Sequence, residues 1–585
     1  MKEIKIKVNG NEYTTHDGQT ILEACQSLGI NIPTLCYLKD INKSGACRVC
    51  LVEVKGHRGL ASSCTFPIYD GIEIFTHSKK ALDARKSTVE LILSNHPREC
   101  LSCSRNGRCE LLKLAEQMGI RDVKYQGETT KKTIDNFALA VVRDTSKCIL
   151  CGRCIETCKK VQGLGILGFM NRGFNTTVGP VLSKDFSEVN CMQCGQCVNN
   201  CPTAALSIKE DIERVIEALN DENKFVVVQT APAVRAALGE EFDNPVGTRV
   251  TGKMVSALKK IGFNRVYDTN FGADLTIMEE GFEFLSRIAN KGTLPMITSC
   301  SPGWIRYAEY EYPEILDHLS TCKSPHMMLG ALVKHYFAEV NNLDPRNIVT
   351  VSIMPCSAKK AEIIKPENLK HDGIQDVDVV LTTRELAQLI RYYGLDFNNL
   401  LDEDFDQDLF GEYTGAGVIF GVTGGVMEAA LRTVSEALTG KSFDKVEYEA
   451  VRGLDSVKEA TLEIDGLEIK VAVASGMKAA KPLLEDVKNG ISPYHFIEIM
   501  GCPGGCINGG GQPFIPANIK NKEGFDTYRA KRAKALYAED ELKHIRKSHE
   551  NPQILALYRN YLGEPNSHKA HELLHTKYKS KRRYN

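Results

Sequence analysis

The sequence predicts a multidomain α+β protein in which three small cysteine-bearing domains precede one large α/β domain. Three observations lead there. A chain of 585 residues exceeds what a single core normally supports, so about three to five domains are expected. Most of the 21 cysteines fall between Cys36 and Cys201, many at two- and three-residue gaps, and only five lie beyond. From Lys224 onward, β-branched runs begin to alternate with helical stretches, the signature of α/β layers.

Residues 1–80 read as short strands with turn signals. A strand at Ile4–Val8, a turn at Asn9-Gly10 and a helix near Thr20–Leu28 precede strands at Arg48–Val54 and Ile72–Thr76. Residues 81–126 read as helical, with a cysteine-bearing interruption at His96–Cys109. Residues 127–210 hold two similar loops, Cys148–Cys158 and Cys191–Cys201, an internal duplication. The last domain, 211–585, opens with a helix at about Asp211–Leu219. It then alternates strand-like runs (Lys224–Gln229, Ile348–Met354, Leu467–Val473) with helical ones (Val255–Ile261, Arg384–Arg391). Its polar, basic end, with Lys579-Ser580-Lys581-Arg582-Arg583, reads as a solvated tail or a wrapping arm.

Composition narrows the function classes. The hydrophobic fraction of 43% and charged fraction of 25% are those of ordinary globular proteins. A net charge of −1 offers no global field for nucleic acid or an acidic membrane. The start, Met1-Lys2-Glu3-Ile4-Lys5, carries neither an apolar signal core nor a twin-arginine leader, and the uncharged stretch Tyr413–Met427 is too short and interrupted to span a bilayer. Cytoplasm is the expected compartment. There, clustered cysteines signify metal ligation far more often than disulfides.

The first constellation is Cys36-x10-Cys47-x2-Cys50-x13-Cys64. Four thiolates beside the Gly-containing loop Ser44-Gly45-Ala46 suit a [2Fe–2S] cluster in a β-grasp fold, although zinc also accepts four thiolates. The spacing resembles that of the large iron–sulfur subunit of respiratory complex I. His96-x3-Cys100-x2-Cys103-x5-Cys109 follows and resembles the one-histidine, three-cysteine [4Fe–4S] site of the same families. A neutral imidazole in place of a thiolate removes one negative charge and should raise the potential. Cys148-x2-Cys151-x2-Cys154-x3-Cys158 and Cys191-x2-Cys194-x2-Cys197-x3-Cys201-Pro202 form the bacterial two-cluster ferredoxin run, with Lys159 where the second copy has Pro202. In that run the fourth cysteine serves the other cluster, so Cys148, Cys151, Cys154 and Cys201 form one set and Cys191, Cys194, Cys197 and Cys158 the other. Four clusters in series imply the movement of single electrons toward a buried site.

Three later runs end in cysteines set in Pro/Gly loops. Pro295–Thr298 leads to Ser299-Cys300-Ser301-Pro302-Gly303-Trp304, Ile348–Met354 to Pro355-Cys356, and Tyr494–Met500 to Gly501-Cys502-Pro503-Gly504-Gly505-Cys506. Delivery of ligands from strand ends is the placement expected of an α/β active site. Taken singly, Cys300 and Cys356 could be buried core thiols; Cys502-x3-Cys506 with its glycines is harder to read that way.

Thr298–Trp304, Met354-Pro355-Cys356-x2-Lys359-x2-Glu362 and Glu498-x-Met500-x-Cys502-x2-Gly505-Cys506-x2-Gly509 are similar to the three signature motifs of [FeFe]-hydrogenases. The order of N-terminal clusters resembles the monomeric clostridial type, and the resemblance runs from about residue 1 to 585. It implies an H-cluster, a [4Fe–4S] cube joined to a two-iron subsite carrying CO, CN and an azadithiolate bridge. Cys356 and Cys502 would ligate the cube and Cys506 would bridge both parts. Lys359 and Ser324 would hydrogen-bond the cyanides, and Met354 and Met500 would pack beside the two irons. A proton relay through Glu283, Ser320, Glu280 and Cys300 is implied, with Arg287 one turn beyond Glu283; by spacing alone, an ordinary solvated face of a helix Ile277–Ile288 is the more natural reading. The partners implied are a soluble ferredoxin or similar low-potential carrier, and maturation proteins.

Two departures stand out. The family's first motif has two adjacent cysteines, one relaying protons and one ligating the cube; here the second is Ser301. Cys300 cannot fill both roles, so the fourth cube ligand is open between Cys300 and Ser301. His326 stands where glutamine is expected. Cys25 and Cys322 are unassigned. Other readings are an H2-sensing or low-turnover homologue, to which Ser301 gives its support, and a complex I-like electron-transfer subunit, which leaves the three later motifs unexplained. No Gly-x-Gly-x-x-Gly follows a strand, so direct use of NAD is not expected.

Overall fold

The computed structural model describes residues 2–368, 373–442, 446–464 and 466–581. The chain divides into two compact units. The first comprises 1–189, 196–207 and 514–525; the second comprises 190–195, 208–513 and 526–585.

The first unit begins with a β-grasp. Strand Glu3–Val8 lies between Asn11–His16 (antiparallel) and Glu73–Phe75 (parallel), and Leu51–Val54 with Leu60–Ser62 completes the five-stranded sheet. Asn9 and Gly10 make the first turn, both with positive φ. Helix Ile21–Ser27 starts with a Thr20/Glu23 capping box and buries Ile21, Leu22, Ala24 and Cys25 against Ile4, Ile6, Val8 and Val52. Cys25, unassigned by its sequence position, is thus a core thiol, pushed up to about 12 by burial. The strands Asn11–His16 and Leu60–Ser62 escaped the sequence reading because they are short or polar.

Two helices follow. Lys79–Ser94 is capped by Ser78, and Glu110–Gln117 begins at Cys109. The duplicated loops accompany a three-stranded sheet, in order Leu206–Ile208, Val141–Asp144, Ile134–Asp135. Buried Arg153 pairs with Glu110 at 2.9 Å and so ties the one-histidine segment to the ferredoxin-like one. Residues 514–525 also belong here. Helix Ala517–Glu523 places Asn521 to accept from the Lys39 backbone N–H (2.9 Å) and Lys520 to donate to Asn200 (2.9 Å), and Arg105 lies 3.3 Å over the Phe514 ring. Nothing in its composition marks this segment, since its partners lie hundreds of residues away.

The second unit is built on two four-stranded sheets. One is all parallel, in order Arg265–Asp268, Phe225–Thr230, Ile348–Met354, Val379–Thr382. Val226 and Val228 feed one apolar cluster and Val227 another, so alternate side chains cover both faces, as a buried parallel sheet requires. The other runs Met296–Ile297, Phe496–Met500, Leu467–Ser475, Val457–Ile464, parallel except for its last pair. The predicted runs 348–354, 467–473 and 494–500 are therefore all strands.

Helix Thr269–Ala289 extends well before the expected Ile277, and fifteen of its residues are buried. Asp268 caps it by accepting from the Asn270 N–H (3.0 Å). Buried Arg235 bridges that same Asp268 (2.6 Å) and Glu539 (2.7 Å). The basic C-terminus is a wrapping arm as far as it is described. Ala570, Leu573 and Leu574 enter the core, and Lys581 pairs with Glu309 at 2.7 Å; Arg582 and Arg583 lie outside the described residues. No helix among the described residues is long and apolar enough to cross a membrane.

Removing Arg235 strands two buried carboxylates, and Arg235→Ala is expected to cost the second unit about 3–5 kcal/mol. Trp304, the single tryptophan, is buried in this unit. Urea unfolding of the apoprotein followed by its fluorescence checks the expectation, and an unchanged midpoint refutes it.

Candidate active site

Four of the five cysteines beyond Cys201 converge. Strand Ile348–Met354 ends at Pro355-Cys356, strand Phe496–Met500 at Gly501-Cys502, and Met296–Ile297 leads into Thr298-Ser299-Cys300. Cys300, Ser301, Cys356, Cys502 and Cys506 line one pocket, partly open to solvent, with about 700 Å³ of space between atoms, together with Met354, Met500 and Lys359. Both methionines are 2% exposed and wall this space. Ala231, Pro232 and Phe420 are further wall residues that no local motif marks.

Glycine makes the approach possible. A Cβ on Gly505 (φ +94°) would lie 2.6 Å from the Thr423 nitrogen, and one on Gly509 would lie 2.2 Å from the Pro355 carbonyl oxygen. The loop bearing Cys506 can therefore press against its neighbours only without side chains at those points.

The cavity wall is largely apolar, and burial raises the Cys300, Cys356 and Cys506 thiols. Burial and the neighbouring Cys356 push Cys506 up to about 12; Cys300 is driven well above its ordinary range by burial, then by Glu280 and Cys506. The polar edge belongs to Lys359. Its ammonium donates to the Ser324 hydroxyl (2.7 Å) and the Cys300 carbonyl (3.2 Å) and pairs with Glu362 (2.8 Å). Burial alone would raise Glu362, but Lys359 and then His326 hold it at about 2. His326 donates through Nε2 to Glu362 (2.7 Å) and meets the Ser352 hydroxyl through Nδ1 (3.2 Å). It lines the cavity, as expected of the position where glutamine was anticipated. Ser301 precedes helix Pro302–Glu311, and its hydroxyl accepts from the Gly501 N–H (3.1 Å).

The expected relay residues gather on one side. Glu283 accepts from Ser320 (3.0 Å), from the Thr321 N–H and hydroxyl (3.1 and 3.3 Å), and from Arg287 (2.6 Å). Glu280, one turn earlier, is fully buried, and neither of its oxygens has a hydrogen-bond partner. Burial and then the charge of Glu283 raise it to about 8; the Ser320 hydroxyl and the Ser299 backbone, both outside bonding geometry, draw it back only partly. Cys322 sits 3.9 Å from Glu283, a fully buried thiol pushed up by burial and nearby carboxylates. This face of the helix is therefore interior, which periodicity could not distinguish from a solvated one.

In the first unit, Cys36, Cys47, Cys50 and Cys64 are all buried, with the Cys50 and Cys64 sulfurs 3.4 Å apart. Hydrogen bonds from Cys47 and Cys64 pull the Cys36 thiol far below its ordinary range. His96 presents a buried Nδ1 with no partner, and burial followed by the Lys147 charge lowers its pKa, so the ring is neutral and able to ligate. Cys100, Cys103 and Cys109 follow it between the two helices. Cys148, Cys151, Cys154 and Cys201 line one cavity of about 470 Å³. Cys158 and Cys197 lie in the first unit and Cys191 and Cys194 in the second.

Clustered thiols of this kind in the first unit, and four converging cysteines beside a buried acid in the second, are the donor sets of an iron–sulfur redox protein. Residues 224–510 match the C-terminal domain of the large chain of iron-only hydrogenases, and 526–581 match the iron hydrogenase small subunit. Residues 1–79 match a 2Fe-2S iron-sulfur cluster binding domain, 85–124 the NADH-ubiquinone oxidoreductase-G iron-sulfur binding region, and 185–207 a 4Fe-4S binding domain. The chain is 47% identical to a subunit of the NADP-reducing hydrogenase of Solidesulfovibrio fructosivorans, with 100% of each covered. It is 43% identical to iron hydrogenase 1 of Clostridium pasteurianum, over 98% of this chain and 99% of the relative. The solved structure of an apo [FeFe]-hydrogenase of Chlamydomonas reinhardtii superposes with a TM-score of 0.56 at 40% identity, over 63% of this chain and 99% of that one. The chain belongs to the iron-only, or [FeFe], hydrogenase family.

His326 supplies a pH test of the buried edge. Burial, then the Lys359 charge, depresses it from 6.5 to about 4. The folded state then binds fewer protons than the unfolded one, so stability is full above pH 6.5 and falls as pH drops toward 4. Between pH 7 and pH 5 the loss from this group is about 2 kcal/mol. His326→Gln apoprotein is expected to lose that much less over the interval in urea titrations; equal losses would exclude a buried neutral imidazole.

Proposed function

We propose that the chain catalyses 2H+ + 2e− ⇌ H2 in its second unit, fed with single electrons by the clusters of the first. The observation carrying this reading is the convergence of Cys300, Cys356, Cys502 and Cys506 in one largely apolar cavity beside the buried acid Glu280. The donor set fits an H-cluster: Cys356 and Cys502 would hold the cube, Cys506 would bridge cube and two-iron subsite, and Ser324 and Lys359 would face the cyanides. When bound, that group supplies the site of electron storage and hydrogen bond-making. Met354 and Met500 exclude water, and Lys359, held by Glu362, fixes a positive charge at the cavity's edge.

Protons would reach the cavity through Glu283, Ser320, Glu280 and Cys300. Glu280 suits this task because a carboxyl with a value near neutrality both takes and releases a proton at working pH. Burial raises the Cys300 thiol well above its ordinary range, so it holds a proton beside the acid Glu280, which favours Cys300 for the proton side. That leaves Ser301, whose hydroxyl meets the loop leading to Cys502, as the residue facing the cube.

The accessory complement would be one [2Fe–2S] on Cys36, Cys47, Cys50 and Cys64, and three [4Fe–4S]. These would sit on His96, Cys100, Cys103 and Cys109; on Cys148, Cys151, Cys154 and Cys201; and on Cys158, Cys191, Cys194 and Cys197. The corresponding domains would be 1–80, 81–126, 127–210 and 211–585. The electron partner would be a small soluble ferredoxin, with plant-type potentials near about −400 mV. The reduced thiols needed for so many clusters favour cytoplasm. A second reading of the partner rests on the full-length likeness to a subunit of an NADP-reducing hydrogenase: this chain would then exchange electrons with a companion subunit that handles NADP.

After cofactor loading, robust H2 evolution from reduced ferredoxin or viologen is expected, and its absence would favour a sensing or low-turnover homologue. Cys506→Ala should abolish the infrared bands of CO and CN; persistent bands would remove its bridging role. Glu283→Gln should cut turnover about 100-fold or more with the bands intact. Unchanged turnover would remove Glu283 from the relay.

A further inference from the structure

Glu283 must obtain its protons from somewhere, and Arg287, one turn along its own helix, cannot supply them. Arg287 covers one carboxylate oxygen, with Nε at 3.2 Å and Nη2 at 2.6 Å. A guanidinium keeps its charge throughout the working range and donates hydrogen bonds without giving up the proton. The other oxygen, Oε2, faces Ser320, the backbone N–H and hydroxyl of Thr321, and the Cys322 thiol.

The Thr321 hydroxyl leads outward. It lies 2.7 Å from Nδ1 of His575, which the C-terminal arm lays against this edge. The backbone fixes the placement, since the Lys323 N–H donates to the Leu574 carbonyl (2.8 Å) and the Thr576 N–H to the Thr321 carbonyl (2.8 Å). His575 Nε2 is 3.1 Å from Oε2 of buried Glu279. That carboxylate also accepts from the Tyr558 hydroxyl and from the Asn566 backbone N–H (2.8 Å). A carboxylate so surrounded acts as an acceptor and holds the proton of His575 on Nε2, leaving Nδ1 to bind or release the second. On the solvent side, the exposed His571 stacks on His575 with ring centroids 4.0 Å apart.

We propose that His575, acting through the Thr321 hydroxyl, is the proton-carrying residue that loads and unloads Glu283. This inference rests on the relay reading of Glu283. The step balances without further reagents. Imidazolium Nδ1–H passes its proton to the Thr321 oxygen, while the Thr321 hydroxyl proton passes to Oε2 of Glu283. Imidazole, hydroxyl and protonated carboxyl remain, and the reverse sequence exports a proton during H2 oxidation. The two hydrogen-bond patterns differ only in the rotation of one hydroxyl. With the ring charged, Nδ1 donates to Thr321 and Thr321 donates to Glu283; with the ring neutral, Thr321 donates to Nδ1.

The titratable and charged groups facing the ring are Glu279 and Tyr558 on one side, Glu283, Arg287 and Cys322 on the other, and His571 above. Glu283, Cys322 and His575 also offer ligand atoms within 4.8 Å of one another. A cation there would compete with the Arg287 guanidinium already on Glu283, so the hydrogen-bonded proton path is the better account of the cluster.

The test uses the cofactor-loaded chain with reduced viologen as donor. Thr321→Val keeps the side-chain shape but removes the hydroxyl, and should lower H2 evolution at least tenfold; Thr321→Ser should restore it. His575→Ala should cause a similar loss, flatten the pH–rate profile between pH 5 and 8, and recover in part with added imidazole. In every variant the CO and CN bands should be those of the parent chain, which separates lost proton supply from damage to the cavity. Parental rates and pH profiles in both Thr321→Val and His575→Ala would overturn the inference while leaving the relay standing if Glu283→Gln is still inactive. An active Glu283→Gln would overturn both.

Discussion

Everything in the second unit follows from one constraint: thiols far apart in the chain must meet in a space that excludes water. Two mostly parallel sheets make this possible. Parallel strands release their loops at the same end, so Cys356 from one sheet and Cys300, Cys502 and Cys506 from the other arrive together. Glycine at 505 and 509 lets the backbones close to distances that any side chain would prevent.

An apolar, buried wall makes charge costly, and each charge at its edge is accordingly held by a partner. Lys359 is held by Glu362, and Glu362 by His326, which burial keeps neutral. Glu280 is the contrasting case. With no hydrogen-bond partner for either oxygen and Glu283 one turn away, it retains a proton near neutral pH, which no exposed carboxyl would do. Both glutamates ride on helix Thr269–Ala289, whose first turn is anchored by Asp268 and, through it, by Arg235 and Glu539. A charged network remote from the cavity thus sets where the acid groups stand.

The C-terminal arm belongs to the same argument. By composition, 568–581 is polar and basic, yet it inserts Leu573 and Leu574 into the core and brings His575 to 2.7 Å from the Thr321 hydroxyl. The match of 526–581 to the small subunit of iron hydrogenases agrees with this, since a segment that can be a separate chain in relatives must make its own specific contacts. The helix Ala517–Glu523, which joins the first unit although its sequence neighbours belong to the second, has the same character.

The sequence by itself determined the ligand chemistry and the larger architecture. Cysteine spacing is a local property, and a cluster's small bite demands a local motif, so Cys36–Cys64, His96–Cys109 and the duplicated runs were legible, as were the strands that carry Cys356 and Cys502. Tertiary structure alone decided which side of a helix is interior, since Glu280 and Glu283 have the spacing of a solvated face and become acid groups only when other elements cover them. It also decided the identities of Ala231, Pro232 and Phe420 as cavity walls and the meeting of Thr321 with His575. Those residues act through neighbours hundreds of positions away, and burial and proximity leave no trace in local periodicity.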